Sequence, residues 1–219
     1  MVKGILWDLD GTLLNTLQSL YQSGSLMLDD LSLPRQDADA YRYFAGDGAA
    51  VLVERALVAA GDLKLTRLQE GLALFRKYFP QWCDYEVKPY DGIVQTLRVL
   101  KEKGVHHAVL SNKPDEQTKA IIGRHFGKEL FSCVRGQTEG VPKKPDPAGA
   151  KLVLGQLGLS AGDCLYVGDT AVDMQTGNAA GIFTVGAAWG FRPEKELMDA
   201  GARRIIHHPE ELLAIAARR

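Results

Sequence analysis

The stretch Ile5-Leu6-Trp7-Asp8-Leu9-Asp10-Gly11-Thr12-Leu13-Leu14 constrains this chain more than any other. Its apolar start reads as a short buried strand, and that strand ends in two carboxylates one residue apart, followed by Gly-Thr. Like charges brought together under burial are costly. A divalent cation would relieve that cost, and hard cations such as Mg²⁺ take oxygen ligands. Gly11 permits the sharp turn through which backbone N–H groups approach an anion. The stretch therefore reads as a metal-plus-phosphate site with a carboxylate nucleophile. Its plainer reading is an Asp-Gly surface turn after a strand.

With 219 residues there is room for one sizeable domain, or for a domain with a smaller insert. Apolar residues make up 46% and charged residues 24%, the balance of a globular protein. A net charge of −1 provides no basic field for nucleic acid or an anionic membrane. Cys83, Cys133 and Cys164 are odd in number and far apart, so neither a disulfide framework nor a zinc spacing is visible. They read as reduced, buried thiols. No apolar run approaches a membrane span, and the start of the chain lacks a signal-peptide pattern. The expectation is a cytoplasmic protein with a small-molecule partner, no nucleic acid and no membrane, as a monomer or homodimer.

From Asn15 to about Tyr85 the pattern is helical throughout. Leu17 to Leu31 is one helix, and a short piece runs through Tyr41 and Phe44. Ala49 to Ala60 is another, with Asp47 as its candidate N-cap and Gly61 as its end. Leu65 to Phe79 is a further helix, stopped by Pro80. After the turn-rich Lys88-Pro89-Tyr90-Asp91-Gly92 the rhythm changes to alternating helix and strand. Strands are expected at 105–110, 130–134, 164–168, 182–185 and 204–207, with helices at 93–103, 114–127, 147–157, 171–180 and 209–217. Such alternation argues an α/β fold, a Rossmann-like parallel sheet with helices on both faces. Ligands then bind beyond the carboxyl ends of the strands.

Three polar clusters follow this rhythm. Ser111-Asn112-Lys113 comes after a strand, where a hydroxyl and backbone N–H groups could hold phosphate oxygens; capping of the next helix is the plainer reading. Lys143-Lys144-Pro145-Asp146-Pro147 opens a helix, and a lysine there could reach a phosphoryl group or a nucleophilic carboxylate, or simply be solvated. Gly168-Asp169-Thr170-Ala171-Val172-Asp173 follows a buried strand. Asp169 would complete an oxygen-rich metal site, with Asp173 supporting it one turn later. Helix capping again offers an alternative.

Asp8-Leu9-Asp10-Gly11-Thr12 resembles the first motif of the haloacid dehalogenase-like (HAD) hydrolases. Ser111, Lys144-Pro145-Asp146-Pro147 and Gly168-Asp169-Thr170-x-x-Asp173 resemble the second, third and fourth motifs, in that order along the chain. Trp7 departs from the family's commoner Phe beside the nucleophile, which touches packing rather than chemistry. The resemblance implies a Mg²⁺-dependent phosphatase acting on a small phosphate ester. Asp8 would be the nucleophile and Asp10 the acid and base, while Lys144, Thr12, Ser111 and Asn112 would bind the transferring group. Asp8, the Asp10 backbone carbonyl and Asp169 would hold Mg²⁺, with Asp173 behind them. It also implies a HAD-like core of residues 1–15 and 88–219 and a helical cap of residues 16–87.

Within the insert, Ala45-Gly46-Asp47-Gly48 and the following Val51 to Leu57 look similar to the cap of the phosphoglycolate phosphatases. The linker 88–92 and Ala188-Trp189-Gly190-Phe191 look similar to the same branch. Gly46 and Gly48 would then bring backbone N–H groups to an anionic substrate, although a plain helix–helix turn explains them equally well. The implied substrate is 2-phosphoglycolate. Rival readings are a phosphatase for a sugar phosphate, nucleotide or pyrophosphate, a phosphomutase resembling β-phosphoglucomutase, and a catalytically silent binding module on the same fold.

Overall fold

The computed structural model describes residues 2–127 and 129–218, and the chain divides into two compact units, Met1–Leu14 with Pro89–Arg219, and Asn15–Lys88. In the first unit a six-stranded, all-parallel sheet carries the architecture. Its strands in chain order are β1 (Gly4–Trp7), β4 (His106–Pro114), β5 (Cys133–Gln137), β6 (Cys164–Gly168), β7 (Phe183–Ala187) and β8 (Arg204–Ile206). Two-residue strands β2 (Leu14–Asn15) and β3 (Lys88–Pro89) mark the points where the chain passes from one unit to the other.

The spatial order of the sheet is β5-β4-β1-β6-β7-β8, so β1 lies between β4 and β6. Ile5 faces His107 on one side and Leu165 on the other, and Trp7 faces Val109 and Val167. A strand enclosed on both edges and both faces must be apolar along its whole length, which explains why Ile5, Leu6 and Trp7 are completely buried. The strand order reverses at β1, and the crevice beyond its carboxyl end is where such sheets take ligands. Helices α5 (Ile93–Glu102), α6 (Asp115–Phe126), α7 (Ala148–Leu157), α8 (Ala171–Ala179), α9 (Glu194–Asp199) and α10 (Glu211–Arg218) complete this unit.

The second unit is helical: α1 (Leu17–Asp30), α2 (Ala40–Phe44), α3 (Ala49–Ala59) and α4 (Leu68–Trp82). Its α1 buries Ser19 and Ser23, whose hydroxyls donate to backbone carbonyls of the same segment at 2.8 Å, so neither is stranded in the interior. Among the described residues no helix is long and apolar enough to cross a membrane.

Several local expectations need correction. Pro80 does not stop α4 but lies inside it. Only two residues of the helix follow it, so the hydrogen bond lost to its missing N–H falls in the fraying last turn. That helix also starts later than expected, because Asp62 accepts hydrogen bonds from the Thr66 and Arg67 N–H groups and holds a turn there. Asp47 does not cap α3: Gly48 occupies that position, and the Asp47 carboxylate pairs with Arg55 at 2.7 Å. Strand β4 runs on through Ser111, Asn112 and Lys113 to Pro114, with an irregularity in its pairing to β5 after Leu110. The expected strand at 130–134 lies three residues later, and α9 answers no sequence expectation.

Candidate active site

The carboxyl ends of β1, β4 and β6 bring the polar clusters together. Asp8 follows β1, and its N–H donates to the Val167 carbonyl of β6 at 2.9 Å, which fixes the carboxylate at the sheet edge. Asp169 follows β6, and Asp173 stands one turn into α8. Oxygens of Asp8, Asp169 and Asp173 all lie within 4.8 Å of one another, and all three residues are buried.

One ammonium sits among them. Lys144 Nζ donates to Asp8 Oδ1 at 2.6 Å and to Asp173 Oδ1 at 2.7 Å, with both partners and the lysine out of solvent. The lysine is delivered by Asn112. Its side-chain amide accepts from the Lys144 N–H at 2.9 Å and donates to the Lys144 carbonyl at 3.1 Å, as a backbone partner would. Asn112 thus joins the end of β4 to the loop before α7.

Asp10 turns elsewhere. Its carboxylate lies outside the three-acid group and accepts from Lys113 Nζ at 2.8 Å. The two acids that end β1 therefore have one lysine each: Lys144 for Asp8 and Lys113 for Asp10. Two lysines thus relieve the repulsion for which the sequence suggested a divalent cation. The surplus of negative charge lies instead in the trio Asp8, Asp169 and Asp173, where three carboxylates share one ammonium.

Electrostatics follow from this crowding. Burial, then the charge of Asp173, push the Asp8 carboxyl well above its ordinary range, with Lys144 pulling the other way. Burial and Asp173 likewise push Asp169 up to about 7, against the Phe191 N–H and the Thr12 hydroxyl. Burial alone would lower the Lys144 ammonium, but Asp173 and Asp8 outweigh it and hold it well above its usual value. The donor set is all oxygen, anionic and under-compensated, which is the chemistry a divalent hard cation fits.

Asp169 is gripped from two sides. The Thr12 hydroxyl donates to its Oδ1 and the Phe191 N–H to its Oδ2, each at 2.7 Å. Trp189 Nε1 donates to the Thr12 carbonyl at 3.0 Å, tying the loop after β7 to the turn after β1. Gly11 and Gly190 pack so closely on Asp169 that a Cβ at either would collide with its carboxylate, and Gly11 also has φ +87°. Asp173 serves two partners, since its Oδ2 accepts from the Thr170 N–H and hydroxyl as the capping box of α8. The capping alternative put Asp169 at the N-cap of this helix, but Thr170 holds that position, and Asp173 sits in the first turn as well as among the acids.

Of the residues singled out in the sequence, Asp8, Asp10, Thr12, Ser111, Asn112, Lys144, Asp169 and Asp173 all belong to the sheet-bearing unit. Gly46 and Gly48 belong to the helical unit, in the turn between α2 and α3, with φ +113° and +90°. The Ser111 hydroxyl accepts from the Lys113 N–H at 3.1 Å. Sequence reasoning gave Lys113 and the Trp189–Phe191 loop no part in the site. Lys113 could have been found by asking what partners the second acid of β1, since an apolar strand followed by three polar residues and a proline repeats the logic of β1.

Three comparisons bear on this arrangement. The model of the haloacid dehalogenase-like hydrolases matches residues 5–187. A phosphoglycolate phosphatase of Pectobacterium atrosepticum is 36% identical over 191 residues, 87% of this chain and 82% of that one. One from Pseudomonas putida is 33% identical over 190 residues, 85% and 70% of the two chains. Two crystal structures follow the chain almost end to end. That from Lactobacillus delbrueckii subsp. bulgaricus has a TM-score of 0.92 at 26% identity and covers 98% of each chain. That from Haemophilus somnus has a TM-score of 0.90 at 28% identity and covers 98% and 97%. Both carry the phosphoglycolate phosphatase name as a prediction.

Proposed function

The chain belongs to the haloacid dehalogenase-like hydrolase family, as a phosphoric monoester hydrolase of its phosphoglycolate phosphatase-like branch, and we propose that it is a Mg²⁺-dependent phosphatase whose substrate is 2-phosphoglycolate. The observation that carries this reading is the buried trio of Asp8, Asp169 and Asp173 around Lys144 at the carboxyl end of β1.

In the first half-reaction an Asp8 carboxylate oxygen attacks phosphorus. The bond from phosphorus to the ester oxygen breaks, and Asp10 gives that oxygen a proton as it leaves. In the second, water attacks the phosphorus of the aspartyl-phosphate, Asp10 takes its proton, and inorganic phosphate departs with Asp8 restored. Lys144 favours the charged form of the nucleophile and holds it in line, while the Ser111 hydroxyl and the backbone around Thr12 and Asn112 cradle the transferring group. Mg²⁺ would be held by Asp8, the Asp10 backbone carbonyl and Asp169, and supplies charge neutralisation between nucleophile and phosphate.

We assign residues 16–87 the role of a cap that reads the leaving group, with the N–H groups around Gly46 and Gly48 as its anion contacts. The name borne by the Pectobacterium and Pseudomonas relatives supports the choice of 2-phosphoglycolate. The buried thiols of Cys133 and Cys164 fit a reducing, cytoplasmic setting.

The test is phosphate release from a panel of 2-phosphoglycolate, hexose phosphates, nucleotides and pyrophosphate, with Mg²⁺ and with a chelator. A Mg²⁺-dependent preference for 2-phosphoglycolate is expected. Activity spread evenly over the other esters would remove the substrate assignment and leave the core mechanism standing. No release from any of them would move the chain to a mutase or a binding module.

A further inference from the structure

We propose that Lys113 is a positioning residue for Asp10, and that by holding that carboxylate in one orientation it governs the second half-reaction. The inference rests on the acid–base role proposed for Asp10. Its basis is the separation of the two acids of β1 onto two lysines. Lys113 Nζ is 2.8 Å from Asp10 Oδ1, and the lysine side chain is 2% exposed against 19% for the aspartate. A lysine usually keeps its ammonium in water, so one placed this deeply is held there by what it pairs with.

The backbone of Lys113 is anchored at both ends. Its N–H donates to the Ser111 hydroxyl at 3.1 Å, and its carbonyl accepts from the Thr118 hydroxyl at 3.2 Å. A side chain at Gly136 on the neighbouring strand would collide with that same carbonyl, so β5 closes tightly over it. The side chain therefore springs from a fixed point, at the polar end of β4. Asn112, one residue before, fixes Lys144. Adjacent residues of one strand thus set the two lysines, one per acid.

Asp10 is the partner that needs such fixing. Asp8 is held by Lys144 within the buried trio, whereas Asp10 lies outside that trio and is partly exposed. A carboxylate that must donate to an ester oxygen and later accept from water has to be aimed both times, and a misplaced group loses much of its catalytic effect.

The experiment compares the full-length protein with Lys113→Met, Lys113→Arg, Asp10→Asn and the Asp10→Asn/Lys113→Met pair, with p-nitrophenyl phosphate and Mg²⁺. p-Nitrophenolate leaves without a proton, so the first half-reaction is insensitive to how Asp10 is aimed, and the second is not. Lys113→Met is expected to release about one equivalent of p-nitrophenolate rapidly, then turn over about 10- to 100-fold more slowly, with KM falling in step so that kcat/KM is little changed. Lys113→Arg should recover part of kcat. In the Asp10→Asn background the Lys113 change should cost nothing further.

Undiminished kcat in folded Lys113→Met, alongside an impaired Asp10→Asn, would overturn the proposal and spare the role of Asp10. The same loss in both backgrounds would also overturn it, by showing that Lys113 acts apart from Asp10. A fully active Asp10→Asn would instead sink the acid–base role, and this inference with it. Should Lys113→Met fail to fold, Lys113→Gln takes its place under the same expectations.

Discussion

Lys144 Nζ lies 2.6 Å from Asp8 Oδ1, with both side chains buried, so the first acid of β1 meets an ammonium that arrives from a loop 136 residues away. Together with the Lys144–Asp173 bond, this pair places one buried ammonium between two of the three carboxylates of the trio. Removing one partner of a buried ion pair strands the other without water or counter-charge.

Lys144→Met should therefore be doubly damaging. Turnover should vanish, and stability should fall by about 3–5 kcal/mol in the absence of metal. Mg²⁺ should restore part of that stability, because the three carboxylates left behind still form a cation site. Thermal melts with Mg²⁺ and with chelator check this, and equal losses in both would mean that no cation binds there.

Gly190→Ala tests the grip on Asp169. A Cβ at this position would collide with the Asp169 side chain, which already accepts from Phe191 and Thr12. Overpacking of this kind costs about 1–3 kcal/mol. Mg²⁺ affinity should drop by about tenfold or more, in line with other changes to groups that orient a metal ligand. Calorimetric titration with Mg²⁺ reads this, and native affinity would show that Asp169 is not a ligand.

Proton and cation should compete at Asp169. Its carboxyl is pushed up to about 7 by burial and by Asp173. Below that pH the metal-free protein holds a proton that Mg²⁺ must displace, so Mg²⁺ affinity should fall by about fivefold as the pH drops from 7 to 6. The linkage to stability has the opposite direction. Between the ordinary carboxyl value and 7 the folded chain binds more protons than the unfolded one, so the metal-free protein loses this contribution as pH rises through that window. Calorimetry at several pH values checks the first effect, and melts in chelator check the second.

His107 carries the mirror case. Trp7 Nε1 donates to His107 Nδ1 at 3.2 Å, which leaves Nε2–H to donate to the Leu97 carbonyl at 3.0 Å. The ring is thereby held as one neutral tautomer, and burial lowers its pKa from 6.5 to about 4. The unfolded chain binds the proton first, so stability is complete above 6.5 and is lost as pH falls toward 4, by up to about 3 kcal/mol. Melts in saturating Mg²⁺ should show this slope, and His107→Gln should flatten it.

Much of this was legible in the sequence, for identifiable reasons. Buried parallel strands must be apolar throughout, so β1 and β6 stand out, and the acids after them mark the site. What could not be read depends on partners far away along the chain. Trp7 and His107 are 100 residues apart, and nothing local joins them. Lys113 looks like a solvated lysine in a polar turn until β4 is seen to continue beneath it. Pro80 signals a helix end by its chemistry, and α4 tolerates it only because that end is near. The cation argument started from Asp8 and Asp10, but each of these has its own lysine, and the surplus charge lies in the trio that Asp169 and Asp173 form with Asp8.

The nucleophile is tested most directly by trapping it. Substrate and Mg²⁺ are mixed with the enzyme, the reaction is stopped in acid within a turnover, and the phosphorylated peptide is located by mass spectrometry. A hydroxylamine-labile phosphate on Asp8, absent from Asp8→Asn along with turnover, is the predicted result. Phosphate on another residue, or continued turnover by Asp8→Asn, would contradict it.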